Sequence, residues 1–342
     1  MSLDAFATLS ARLDGFWYSQ VVHVAASLGL ADAIGDEPVS TERLAERVGL
    51  QPDPLRRLMR ALAAIDVFAP APSEAEASAE VDAWQHTEQS RLLRDDSPTQ
   101  LGARAIALGA LAWAPWGHLQ QALTSGQPSF DAVFGAAFFD HLAANPTLAA
   151  TFGRTMTSFT RLTSEAVASV AQPGAAARVV DLGGGHGMMA QALLRRFPEL
   201  EVTILDRPEV IERGAPAVAE AERARLRLVV GDLFEPASLP RADIYSLSWI
   251  LHDWDDERCR QILAGCRERL EPGGQLWIVE LLTGTHEPAF ARFFDLEMLV
   301  QTGGRERTLA EFERLLTSAG FCLVERVQTA APQSLLVARV AS

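Results

Sequence analysis

The chain has 342 residues, 48% of them hydrophobic and 22% charged, enough for two globular domains with a sizeable core. Its 44 acids against 30 basic residues give a net charge of −14, which argues against a nucleic-acid backbone as main partner, since phosphate binding needs a basic face. All 30 basic residues are Arg, so Schiff-base, pyridoxal-phosphate, Walker-A and lysine-dependent kinase chemistry are excluded for want of the amine each requires.

The opening stretch MSLDAFATLSARLDGFW has early acids, no basic region and no small-residue cleavage site, so it does not read as a signal peptide. From Phe6 to Ile34 the apolar positions Phe6, Leu9, Leu13, Phe16, Trp17, Val21, Val22, Val24, Leu28 and Leu30 cover more than one helical stripe. Such a segment must be buried on several sides, and a second polypeptide is a natural source of that cover. Ser40 or Thr41 is expected to cap a helix over Glu42–Val48 that Gly49 stops. Asp53 before Pro54 is expected to cap a second over Leu55–Ile65. Helix, glycine turn, helix and then Val67-Phe68 outline a winged helix. A DNA-binding role fits poorly, because residues 1–100 hold 8 Arg against 16 acids.

Pro70–Ser78 reads as an exposed wing or loop, and residues 99–170 as helical and rich in aromatics that belong to the core by default. After Pro173 strands and helices alternate. Strands are expected at Ala177–Leu182, Glu201–Asp206, Arg227–Gly231, Ile244–Trp249 and Gln275–Leu281, with helices at Met188–Phe197 and Asp255–Leu270. Phe321–Gln328 and Ser334–Val340 are joined by too short a link for anything but an antiparallel pair. The expected fold is α/β: a Rossmann-like, mostly parallel sheet closed by an antiparallel C-terminal hairpin, preceded by a helical winged-helix-like domain. Cys259, Cys266 and Cys322 show no C-x-x-C spacing and read as buried apolar thiols in a reducing compartment, so a cytoplasmic protein is expected. No run of 18 apolar residues suggests a membrane span, and no ligand cluster points to a metal.

The strand Val179–Leu182 runs into Gly183-Gly184-Gly185-His186-Gly187 and then a helix, a turn that lets a ligand touch backbone. Gly185-x-Gly187-x-x-Ala190 also fits the dinucleotide pattern, so a nicotinamide dehydrogenase is a rival. Asp206, 23 residues after Gly183, can accept from two ribose hydroxyls in either case. Asp181 before the glycines and Asp232 at the end of the following strand tip the balance. Three acids around a ligand suit a cation better than a diphosphate.

These motifs, with Leu205-Asp206-Arg-Pro-Glu-Val-Ile, Gly231-Asp-Leu-Phe, Leu251-His252-Asp253-Trp254-Asp-Asp-Glu and Gly303-Gly-Arg-Glu306-Arg-Thr308 in order, resemble the S-adenosylmethionine-dependent O-methyltransferases of the caffeic-acid and hydroxyindole type, specifically the bacterial secondary-metabolite branch. The resemblance covers almost the whole chain. It implies a homodimer through a dimerisation domain at 1–100, and a catalytic domain at 101–342 whose 101–172 portion shapes the substrate pocket. It implies S-adenosyl-L-methionine as cofactor and S-adenosyl-L-homocysteine as product, with Asp181, Gly183, Gly185, Asp206, Asp232 and Leu233 as contacts. Ser248 stands where plant relatives often carry Lys, so that contact is absent or replaced by a hydroxyl. His252 matches the general base, and Glu280 and Glu306 the acids that orient it. Phe152, Met156, Phe159, Trp249 and Met298 match acceptor-pocket positions, with Asp253 and Asp295 as helpers. The implied reaction is methyl transfer to a phenolic or enolic hydroxyl of a small aromatic or polyketide metabolite. The alternative is a member that keeps the cofactor but hydroxylates, decarboxylates or catalyses a pericyclic step.

Overall fold

The computed structural model describes residues 2–71, 83–212, 219–284 and 288–341. They fall into two compact units, residues 1–113 with 147–158, and residues 114–146 with 159–342. The long helix Pro146–Val170 supplies residues to both.

In the first unit the leading apolar segment forms three helices, Leu3–Leu13, Phe16–Ser27 and Leu30–Ile34, broken at Asp14-Gly15 and at Gly29. Leu3, Phe6, Leu9, Leu13, Phe16, Trp17 and Tyr18 are all exposed, and Leu3–Leu13 buries no residue. The winged-helix outline follows. β1 (Val39–Ser40), β2 (Phe68–Pro70) and β3 (Ala83–His86) form an antiparallel sheet in the order β1-β3-β2. Ser40 caps the helix Thr41–Val48 by accepting from the Arg43 N–H at 3.3 Å, and Gly49 ends it at φ +70°. The next helix runs Pro52–Ala63, not from Leu55. Pro52 takes the first turn and Gln51 the cap position, so Asp53 lies inside the helix and not at its cap. Leu30, Leu44, Leu55, Met59, Phe68 and Trp84 make the core, and Trp84 Nε1 donates to Thr41 Oγ1 at 2.9 Å. The wing expected at Pro70–Ser78 lies mostly outside the described residues.

The second unit carries a seven-stranded sheet: β4 (Arg178–Leu182), β5 (Glu201–Asp206), β6 (Leu226–Val230), β7 (Ala242–Ser248), β8 (Leu270–Glu280), β9 (Phe321–Gln328) and β10 (Ser334–Val340). Its order is β6-β5-β4-β7-β8-β10-β9, the first five parallel and the last two an antiparallel hairpin. Helices Asp256–Arg269 and Leu309–Ser318 pack one face through Ile262, Leu263, Phe312 and Leu316. Cys259 and Cys266 are buried in this layer as expected, whereas Cys322 is exposed, because it lies on the edge strand β9. Met188–Arg196 and the end of the long helix pack the other through Leu193 and Val167. Leu182 stands beside Leu205 and Leu247, and Ser248 beside Val279, so the carboxyl ends of four strands share one edge. That is the edge at which open parallel sheets receive ligands.

Candidate active site

β7 ends in a kink. Trp249, buried and with its N–H on the Val279 carbonyl at 3.1 Å, adopts φ +59°, a left-handed backbone that costs a bulky residue about 1–3 kcal/mol. The kink throws the next residues into the short 3-10 turn Leu251–Asp253. Glu280, at the end of β8 and fully buried, clasps this turn: its Oε1 accepts from the N–H groups of Ile250 at 3.0 Å, Leu251 at 2.9 Å and His252 at 3.4 Å. A second clasp comes from Gly303–Arg307. The Arg305 N–H donates to the His252 carbonyl at 2.8 Å, and a Cβ on Gly304 would stand 1.9 Å from that oxygen. The buried guanidinium of Arg307 reaches the carbonyls of Leu251 at 2.8 Å and Trp254 at 2.9 Å. Between these two arginines Glu306 turns the other way and accepts from His252 Nδ1 at 2.7 Å. Asp295 in turn accepts from the Glu306 N–H at 2.8 Å.

His252, Glu280 and Glu306 are all buried, with ligand-type atoms within 4.8 Å of one another. Glu280 Oε1 is committed to three amides and Glu306 Oε1 to Nδ1, while Glu280 Oε2 and Glu306 Oε2 are buried with no hydrogen-bond partner among the described residues. A proton on the imidazole supplies the positive charge that the acids require. Burial opposes that charge, yet the carboxylates of Glu280, Glu306 and Asp253 outweigh it and push His252 up to about 10. Burial also raises Glu280 to about 7 against the pull of His252, and Asp253, 3.8 Å from Nε2, to about 6. Because Nδ1 is held by Glu306, Nε2 is the nitrogen free for chemistry.

At the β4 end, Gly183 turns at φ +66° with its N–H on the Leu205 carbonyl at 2.8 Å, where a Cβ would strike Ile250. Gly185 follows at φ +54° with nothing within 4 Å of a Cβ position, an open cradle. Asp206 Oδ2 accepts from the Gly185 N–H at 2.8 Å and Oδ1 from the Arg207 N–H at 2.8 Å. Asp181 is fully buried beneath Gly184, so it stands one layer behind the glycines. Burial pushes its carboxyl up to about 7, and its Oδ1 has no hydrogen-bond partner among the described residues. Asp232 and Leu233 follow β6, with Asp232 exposed and its Oδ1 taking the Phe234 N–H at 2.9 Å. Ser248 is half-buried at the end of β7. An open glycine cradle, an orphaned buried carboxylate oxygen and two further acids at adjacent strand ends fit a cationic ligand with ribose hydroxyls.

Around His252 the rings gather. Phe294 lies 5.8 Å from the imidazole at 28°, Trp249 lies 5.4 Å away at 70°, and Phe159 packs on both at 5.8 and 6.1 Å. The indole Nε1 of Trp249 is buried with no acceptor among the described residues. Met298 is buried one turn beyond Phe294 on the helix Ala289–Gln301. Phe152 and Met156 belong to the first unit. Asp295, expected as a substrate helper, spends an oxygen on the Glu306 backbone. The sequence reading missed Phe294, whose signal was its place one residue before Asp295, and Arg307, whose double clamp no spacing reveals.

A family model described as an O-methyltransferase domain matches residues 116–322, and one described as an O-methyltransferase dimerisation domain matches residues 11–96. The phenazine O-methyltransferase PhzM of Lysobacter antibioticus is 34% identical over 329 residues, 96% of this chain and 94% of its own. Among solved structures, human N-acetylserotonin methyltransferase in complex with S-adenosylmethionine is similar with a TM-score of 0.88 at 26% identity, over 100% of this chain and 99% of that one. An O-methyltransferase from neocarzinostatin biosynthesis, solved with S-adenosylmethionine and 2-hydroxy-5-methyl naphthoic acid, matches with a TM-score of 0.78 at 29% identity, over 94% of this chain and 96% of that one.

Proposed function

We propose, because the chain belongs to the S-adenosylmethionine-dependent O-methyltransferase family, that it methylates a phenolic or enolic hydroxyl of a small aromatic or polyketide-type metabolite with His252 as general base. One observation carries the reading: His252 Nδ1 is pinned to Glu306 at 2.7 Å inside an aromatic cage, which leaves Nε2 to meet an acceptor hydroxyl.

S-adenosylmethionine is the methyl donor and, when bound, supplies an electrophilic methyl on a good leaving group. The protein's tasks are then alignment and proton removal. Gly183 and Gly185 give backbone to the donor, Asp206 takes ribose hydroxyls, and Asp232 with Leu233 edges the adenine. Asp181 supports the cationic end through the loop, and the Ser248 hydroxyl stands at the rim. Phe159, Trp249 and Met298 flank the acceptor ring. The spare indole N–H of Trp249 offers a hydrogen bond to an acceptor oxygen. His252 takes the hydroxyl proton on Nε2, and Glu306, Glu280 and Asp253 stabilise the imidazolium as it forms. Closing the pocket around a cationic donor favours the neutral imidazole, the form that can accept that proton.

The division at residue 100 assigns dimerisation to the first part and the acceptor pocket to 101–172. The exposed apolar helices at the N-terminus support a homodimer built there. Among the described residues no helix is long and apolar enough to cross a membrane. Soluble operation in the cytoplasm, without nucleic acid, accords with the acidic charge and the free cysteines.

The test is His252→Ala, assayed by mass spectrometry on a panel of hydroxylated aromatic acceptors. Methyl transfer should fall by about 10²–10⁴-fold, while calorimetric binding of S-adenosylhomocysteine stays within a factor of about two. Full activity in the variant removes His252 from the base role. A wild-type product of unchanged mass, or one gaining oxygen, supports the non-methylating alternative instead.

A further inference from the structure

Beside the segment that carries Glu306 lies a cavity of about 310 Å³. Its wall presents four guanidinium groups, Arg260, Arg305, Arg307 and Arg314, against two carboxylates, Asp256 and Glu311. With Glu257, which pairs with Arg260, four arginines meet three acids, an excess of one positive charge on a chain of net charge −14. Arg307 pairs with Asp256 at 2.8 Å, Arg305 with Glu311 at 3.0 Å, and Arg260 with Glu257 at 2.8 Å. Arg314 is exposed and has no ion pair among the described residues. The wall's two acids register the field. Burial would raise both, yet Arg307, Arg305 and Arg260 hold Asp256 below the ordinary carboxylate range, and Thr308, Arg305 and Arg314 do the same for Glu311.

We propose that this cavity is a binding site for a multiply charged phosphate anion of the pyrophosphate type, and that its occupancy is felt at His252. Guanidinium forks bind phosphate oxygens in pairs, and several forks around one cavity suit a ligand built of two linked tetrahedra. The coupling follows from the chain itself. Residues 305, 306 and 307 face alternately, so the side chains of Arg305 and Arg307 enter the cavity wall while Glu306 between them holds His252 Nδ1. Arg307 uses the same guanidinium to bracket the catalytic turn at Leu251 and Trp254 and to meet Asp256 in the cavity. An anion competing with Asp256 for Arg307 therefore acts on the clamp that fixes the turn. The binding claim stands apart from the role of His252; the coupling claim rests on it, and the two fail separately.

The test is calorimetry on the full-length protein in chelator-containing buffer of constant ionic strength, with pyrophosphate and orthophosphate as probes. Pyrophosphate should bind at least about tenfold more tightly than orthophosphate. Arg314→Gln and Arg260→Gln should each weaken it roughly fivefold or more, with melting temperatures unchanged. Saturating pyrophosphate should change kcat for methyl transfer by about twofold or more in the wild type and by nothing in the Arg260→Gln/Arg314→Gln double variant. No binding heat up to about 10 mM, or equal affinity in the double variant, overturns the site. Binding with an unchanged kcat overturns the coupling and leaves a plain anion pocket.

Discussion

At the scale of single residues the protonation of His252, the proposed base, depends on how many carboxylates face its imidazole. Three do, and against the opposing effect of burial they push His252 up to about 10. Removing one of the charges must lower that value, because each carboxylate favours the imidazolium. Glu306→Gln keeps a hydrogen-bond acceptor but not the charge, so the acid limb of the kcat/KM–pH profile should move to lower pH, with a plateau about 10–100-fold lower. A limb that stays in place would show that Glu306 does not set the charge on His252. His252 and Glu306 could be singled out because they sit in motifs whose order along the chain is informative, and Glu280 because it ends an expected strand. Their burial was not legible: Glu306-Arg307-Thr308 also reads as the start of a helix, and the helix does begin there, but its cap is Thr308, which accepts from the Glu311 N–H at 3.2 Å. Glu306 is thereby left for His252.

At the scale of elements, the turn Leu251–Asp253 owes its shape to a neighbouring strand. Glu280 on β8 satisfies three amide groups that the 3-10 turn leaves open. A buried amide without a partner costs about 1–3 kcal/mol. Glu280→Ala should therefore destabilise the protein by several times that unit cost, in the range of about 3–6 kcal/mol. Glu280→Gln, which keeps an acceptor oxygen, should cost distinctly less while still depressing turnover. Urea unfolding of the pair checks this, and equal losses would mean that the turn is held elsewhere. Strand and helix positions were readable to within a few residues from apolar runs and punctuation, and the hairpin from the shortness of its link. Errors arose where signals compete. Pro52 and Pro54 can each open a helix, and Pro52 does so. β8 begins at Leu270, five residues before the apolar run at Gln275, through a Pro-Gly-Gly stretch that sequence alone marks as turn.

At the scale of the whole molecule, the first unit displays more apolar surface than an isolated chain keeps in water. Phe6, Leu9, Leu13, Phe16 and Trp17 are each more than half exposed. Contiguous patches of this kind mark interfaces. Phe6→Glu combined with Leu13→Glu should halve the mass seen by light scattering while the second unit keeps its affinity for S-adenosylhomocysteine; an unchanged mass places the dimer contact elsewhere. Sequence pointed here because a segment apolar on more than one stripe must be covered on several sides, and a second polypeptide is a natural source of that cover. It could not tell which of the later aromatics would surround His252, since that depends on tertiary packing of the helix Ala289–Gln301.

His252 is fastened to the sheet by Glu280, whereas Phe294 stacked against it and Phe159 packed on Phe294 hang from helices. Recruitment of a new acceptor can accordingly proceed by remodelling those helical walls alone. On the proposed reading, diversification of scope and preservation of reactivity are separable, so one unaltered reaction core can serve differently shaped metabolites.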